Sequence, residues 1–124
     1  MDLNQVTVPC TDYDGSVRFY QLLGLRLIVD SPPRYARFET EKGTTFSIHA
    51  EGMASSGADI KIYFEVEDVD AEVKRLKTKG VKFSGDPVDQ EWLWREAYAK
   101  DPSGNTVCIY HAGDNRRFPP WRVT

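Results

Sequence analysis

Two residues in this chain are the candidates for moving a proton, His49 and Glu96. A histidine titrates near neutral pH, which suits a general base. The alternative for His49 is a hydrogen-bonded histidine in a binding wall. Glu96 can serve as an acid–base or ligand-orienting carboxylate, or it can form a salt bridge with Lys61 or Arg95. Lys61 and Glu65 lie four residues apart on the same strand face, and pairing of Lys61 with Glu65 or with Glu96 is preferred over a catalytic lysine. Trp92 and Trp94 flank Leu93 in the run EWLW. One or both can wall an organic ligand with large rigid area at little entropic cost. Cys108 is a candidate thiolate but has no base beside it in sequence, which favours an inert buried thiol.

These residues need elements to hold them. Asn4–Cys10 alternates, with Val6, Val8 and Cys10 apolar, so it reads as a half-buried strand. Asp12 precedes a helical run with apolar residues at Tyr13, Val17 and Tyr20, and Gly24 ends it. Leu25–Val29, Tyr35–Glu39 and Thr44–Ala50 are strand-like. The pattern then recurs. Ile60, Ile62, Phe64 and Val66 form one strand face, Asp68 caps a helix carrying Val69, Val73 and Leu76, and Gly80 closes it. Val81–Ser84, Trp94–Ala99 and Thr106–Tyr110 follow as strands.

The recurrence is an internal repeat. At an offset of 56 residues Asp12 meets Asp68, Asp14 meets Asp70, Val17 meets Val73 and Gly24 meets Gly80. The identities fall on helix caps, a helix core position and terminating glycines. Each half reads β-α-β-β-β, and one such unit is marginal by itself. The chain is therefore expected to be one α+β domain over residues 1–124. Its first module spans 3–50, a Gly/Ser linker 51–59, a second module 60–112 and a tail 113–124.

Alternation assigns strand faces. Val6 and Val8, Phe46, Ile48 and Ala50, Ile60, Ile62 and Phe64, and Val107 and Ile109 should pack under the helices. The opposite, concave faces should carry Gln5, Thr7, Ser47, His49, Lys61, Tyr63, Glu65, Thr106, Cys108 and Tyr110. Glu96 and Tyr98 join them, because Ala97 and Ala99 suit close helix packing.

Bulk properties narrow the function classes. With 16 Lys and Arg against 19 Asp and Glu, the net charge of −3 gives no basic stripe for nucleic acid. No apolar run reaches membrane-spanning length, and no signal-peptide core opens the chain. Cys10 and Cys108 sit in strand-like runs, which points to reduced thiols in a cytoplasmic protein.

The pieces Val6–Asp12, Arg18–Gly24 (RFYQLLG), Phe64–Gly80 and Asp101–Tyr110 (opening DPSGN) occur in an order that resembles the vicinal oxygen chelate superfamily. That superfamily includes glyoxalase I, bleomycin and fosfomycin resistance proteins and extradiol dioxygenases. The resemblance implies two βαβββ modules whose strands curl into a cup with the helices outside, often completed across a homodimer. Metal-dependent members place a ligand on the first and last strand of each module. Here those positions are Gln5, Ser47, Lys61 and Cys108, with the last strands aligned by the turn glycines Gly43 and Gly104. Aligning His49-Ala50 with His111-Ala112 instead shifts the register by one residue. An ammonium has three donors and no acceptor, so Lys61 argues against a divalent cation.

The implied activity is binding of a small polar or aromatic organic molecule without metal or other cofactor. The site residues would be Gln5, Thr7, Ser47, His49, Lys61, Tyr63, Trp92, Glu96, Tyr98 and Cys108. The alternative is a metal-dependent lyase, isomerase or dioxygenase using Zn, Ni, Fe or Mn, with His49, Glu96 and Cys108 or Gln5 as a relocated ligand set. Whether there is catalysis stays open at this stage. The tail, with Pro119-Pro120 between Phe118 and Trp121, is expected to lie across the body or a partner subunit.

Overall fold

The two aspartates predicted as caps start both helices. In the computed structural model, which describes residues 1–50 and 60–123, Asp12 accepts from Gly15 N and Asp68 from Ala71 N, each at 3.0 Å. The helices they cap are α1 (Tyr13–Leu22) and α2 (Val69–Thr78). Around them run β1 (Gln5–Pro9), β2 (Arg26–Ser31), β3 (Tyr35–Glu39) and β4 (Thr45–His49). The second set is β5 (Lys61–Glu65), β6 (Val88–Asp89), β7 (Arg95–Lys100) and β8 (Thr106–His111). The expected linker at 51–59 lies outside the described residues.

The strands form two four-stranded mixed sheets, ordered β1-β4-β3-β2 and β5-β8-β7-β6. The fold is α+β, with two α-helices among the described residues. The chain divides into two compact units. One comprises 1–60 with 101–105, the other 61–100 with 106–124.

The register repeats as closely as the sequence. In the parallel pair β1·β4, Thr7 faces Ser47; in β5·β8, Tyr63 faces Cys108. Both pairs obey the offsets of 56 and 61, so the turn glycines, and not the two histidines, align the last strands. Gly43 and Gly104 have φ of 86° and 89°. Thr40 N donates to Thr44 O at 2.9 Å, and Asp101 N to Asn105 O at 2.9 Å. Gly24 and Gly80 close the helices at φ of 102° and 95°, a region that only glycine enters cheaply.

In the first unit, the apolar sheet face packs on Tyr20, whose ring lies 5.7 Å from Phe38 and 4.6 Å from Phe46. The helix presents Ser16, Phe19 and Tyr20 as its buried residues. This differs from the expected Tyr13, Val17, Tyr20 stripe: Tyr13 turns its hydroxyl to the main chain at Tyr35 and to Asp30. Ser16 is small enough to let Ser103 approach to 3.1 Å. Val6, expected to pack under the helices, is 45% exposed, while Val8 on the same face of the same edge strand is fully buried. In the second unit Val69, Val73 and Leu76 are all buried, as their spacing requires. Burial of each contributes about 1.5–3 kcal/mol.

Val81–Ser84 is not a strand. It makes one isolated bridge, Phe83 to Ala99, and the edge of the sheet is taken by the two residues of β6. Gly85 and Pro87 separate the two pieces, and proline cannot donate to a ladder.

Candidate functional site

The expected site residues fall on one face in each unit. In the first, Gln5 and Thr7 on β1 stand beside Ser47 and His49 on β4. Gln5 Nε2 donates to Ser47 Oγ at 2.8 Å and to Thr7 Oγ1 at 3.2 Å. Two residues absent from the predicted set complete this face. Tyr35 Oη lies 2.7 Å from Ser47 Oγ, and Arg37 Nε donates to Tyr35 Oη at 2.8 Å. The Tyr35 ring meets that of His49 edge-on at 6.0 Å. Alternation along Tyr35–Glu39 sets Tyr35 and Arg37 opposite Ala36 and Phe38, which is the signal that would have found them. Ser47 is fully buried, so this face is a linked polar wall.

In the second unit the register sets Tyr63, Cys108 and Tyr98 in one row, with Glu65, Tyr110 and Glu96 in the next. Lys61 lies opposite Thr106. Trp94 stacks on Tyr110 at 4.8 Å, and Tyr63 meets both rings edge-on at 5.9 and 5.5 Å. Beside this aromatic cluster sits Glu96, only 2% exposed. Its oxygens accept from two uncharged donors: Tyr98 Oη at 2.5 Å and Trp92 Nε1 at 3.0 Å. Arg95, expected as a possible partner of Glu96, instead donates to Asp70 and Asp89. A burial that penalises the phenolate, and the nearby carboxylate, raise the Tyr98 pKa. Tyr98 therefore stays a donor across the physiological range. Glu96 and Tyr98 also line a cavity of about 170 Å³ with Ser84, Val88 and Gln90.

Cys108 is fully buried. Burial, reinforced by the Glu96 charge, pushes its thiol up to about 12, so it is protonated at neutral pH and is no nucleophile there. Among the described residues no group of three or more His, Cys, Asp or Glu gathers as a metal-holding set.

Glu65 takes partners that were not considered from sequence. Its Oε2 accepts from Ala112 N at 2.7 Å and Gly113 N at 2.9 Å, where the chain leaves β8. His111 and Arg116 stand near it at 3.9 and 4.0 Å. Trp94 Nε1 donates to Asn115 O at 3.4 Å. The start of the tail is thus fastened, but Phe118 and Trp121 remain 56% and 57% exposed. Arg117 and Arg122 lie over the Phe118 ring in place of a covering body. Burial opposes the Glu65 charge, but the two N–H donors and the His111 and Arg116 cations outweigh it, lowering the pKa. A carboxylate lowered in the folded state adds stability above its unfolded pKa of about 4.3, lost as pH falls through the folded value. Acid titration of Trp94 fluorescence is expected to show the tail loosening below about pH 4. Glu65→Gln should flatten that step, and an unchanged step would assign it elsewhere.

Residues 2–109 match the model of the Glyoxalase/Bleomycin resistance protein/Dioxygenase superfamily. The chain is 32% identical to the uncharacterized protein YraH of Bacillus subtilis (strain 168), over 89% of this chain and 98% of that one. Among solved structures, it is similar to a glyoxalase/bleomycin resistance protein/dioxygenase from Nocardioides (TM-score 0.78, 20% identity, 100% and 90% of the two chains). TnmS3, an antibiotic binding protein from Streptomyces sp. CB03234, gives a TM-score of 0.77 at 24% identity over 90% and 96%. A bleomycin-binding protein complexed with bleomycin gives 0.71 at 19% over 90% and 98%. At these identities the structural likeness is one of fold. No helix among the described residues is long and apolar enough to cross a membrane.

Proposed function

The chain belongs to the Glyoxalase/Bleomycin resistance protein/Dioxygenase superfamily, and from that premise we propose that it binds a small organic molecule without a metal ion. The ligand carries an apolar ring system and at least one N–H or O–H donor. It lies on the aromatic face of the second unit, against Tyr63, Trp92, Glu96 and Tyr98.

The observation that carries this proposal is Glu96. A buried carboxylate is costly unless its lone pairs are filled. Tyr98 and Trp92 fill one site on each oxygen, and a carboxylate offers about four. The remaining sites suit a donor on a ligand. The cavity beside Glu96, about 170 Å³, takes a polar group and not a whole drug-sized molecule, for which pockets run to roughly 300–1,000 Å³. The rest of the ligand would lie on Trp92 and Tyr63, which are 44% and 42% exposed.

The donor chemistry supports the absence of metal. At the four positions corresponding to the superfamily's ligands, Gln5 donates its NH₂ to Ser47 and Thr7 and accepts from Thr45 Oγ1 on the carbonyl oxygen that a cation would need. Ser47 offers only a neutral, buried hydroxyl already bonded to Gln5 and Tyr35, and Lys61 has no lone pair when protonated. These residues do not fit a divalent cation. The same proposal includes a homodimer, supported by the exposed apolar side chains Val6 and Ile28 and checked by light scattering at two concentrations.

N-phenyl-1-naphthylamine, a neutral aromatic amine that fluoresces in apolar surroundings, is the first probe. Saturable binding at one site per chain is expected, and no binding would remove the proposal for this ligand class. Elemental analysis of protein purified without chelator or metal-binding tag is expected to show no stoichiometric metal. A full equivalent of Zn, Ni, Fe or Mn would favour instead a metal-dependent lyase, isomerase or dioxygenase.

A further inference from the structure

Three hairpin turns among the described residues share one hydrogen-bond pattern. In each, the first residue's N–H donates to the fifth residue's carbonyl, and the fourth residue's N–H donates back to the first residue's carbonyl. The turns are Thr40–Thr44, Asp101–Asn105 and Gln90–Trp94. The fourth residue of such a turn sits in the left-handed region, where glycine belongs. Gly43 and Gly104 fill it at φ of 86° and 89°; in the third turn it is Leu93, at φ of 71°. Among the described residues Leu93 alone, apart from glycines, has a positive φ.

A bulky residue there is a true outlier. Burial does not explain it, since Leu93 is 47% exposed. The same hairpin exposes Val88 at 52% and Trp92 at 44%. It is also the hairpin whose Trp92 holds Glu96. Strain that a fold does not need for packing is a pointer to function. We infer that Leu93 is a ligand-contacting residue, kept at a glycine position so that an apolar side chain covers the ring system of a molecule bound at Glu96. The inference rests on the site proposed above and adds a specificity-determining residue to it.

Leu93→Gly and Leu93→Asn test it, since both residues tolerate the left-handed region. The expected result is a urea unfolding midpoint equal to or above that of the parent chain, with affinity for N-phenyl-1-naphthylamine reduced at least fivefold. A lower midpoint for Leu93→Asn would show that Leu93 serves the fold. A loss of affinity smaller than fivefold in both variants would show that it does not touch the probe. Glu96→Gln, titrated in parallel, separates the two levels. If the parent chain does not bind, or Glu96→Gln binds equally well, the site is wrong. If Glu96→Gln binds weakly and the Leu93 variants bind normally, only the assignment of Leu93 fails.

Discussion

Replacing Asp101 by alanine is expected to lower the free energy of unfolding by about 4 kcal/mol, from the hydrogen bonds lost and the donors left bare. Asp101 is 4% exposed and opens the DPSGN turn. Its Oδ2 accepts from Tyr20 Oη at 2.6 Å and Asn105 Nδ2 at 2.8 Å. Its Oδ1 accepts from the main-chain N–H groups of Ser103 at 2.9 Å and Asn105 at 2.8 Å. Asn105 donates its other amide hydrogen to Pro9 O at 2.8 Å. The turn thereby ties together the core tyrosine of α1, the end of β1 and its own backbone, all within one compact unit.

The same network makes graded predictions. Burial, with the neighbouring Asp101 charge, raises the Tyr20 pKa, so Tyr20 is a neutral donor at any physiological pH. Tyr20→Phe removes that one donor and should cost about 1–2 kcal/mol. Asp101→Asn keeps one carbonyl oxygen but turns an NH₂ toward N–H donors that cannot reverse, and should cost about 2 kcal/mol. Urea unfolding followed by tryptophan fluorescence ranks the three. An Asp101→Ala variant within about 1 kcal/mol of the parent would mean that the turn is not a structural clamp. A typical domain has only about 5–15 kcal/mol to lose, so the alanine variant should also express poorly at 37 °C.

What the sequence reveals follows from what it repeats. Caps and turn glycines recur at fixed offsets, and the backbone reproduces them bond for bond. Leu25 N donates to Tyr20 O and Val81 N to Leu76 O, both at 3.1 Å. Fold class, register and shared faces are therefore legible. The offset grows from 56 at the helices to 61 at the last turn, so the second half carries extra residues between α2 and β7. Everything misread in the strands of that half lies there: the missing strand at Val81–Ser84 and the short β6 in its place. A repeat gives no guidance where one copy has an insertion. The partners of Glu65 and Glu96 were illegible for another reason. A carboxylate's charge suggests a cation, but both take their hydrogen bonds from neutral N–H and O–H donors whose positions only the folded backbone sets, even with His111 and Arg116 standing near Glu65.

Glu96 is where stability and function are expected to part. In Glu96→Gln the amide oxygen can accept from Trp92 Nε1, a group that only donates. The amide NH₂ can then donate to Tyr98 Oη, because a hydroxyl can accept as well as donate. Both partners remain satisfied, and the buried charge is gone, so stability should change by less than about 1 kcal/mol. Binding should not survive so well. A hydrogen bond to a carboxylate is roughly twice as strong as one to a neutral amide, and its loss corresponds to a fall in affinity of roughly 10- to 100-fold. Glu96→Ala differs: it strips Trp92 and Tyr98 of their shared acceptor and opens a void, costing about 3 kcal/mol in stability as well. Urea unfolding and probe titration on the two variants make the distinction. If Glu96→Gln costs more than about 2 kcal/mol and leaves affinity intact, the carboxylate is a structural bracket like Asp101. If the fold tolerates glutamine and the probe does not, the charge was kept in the interior for what it binds.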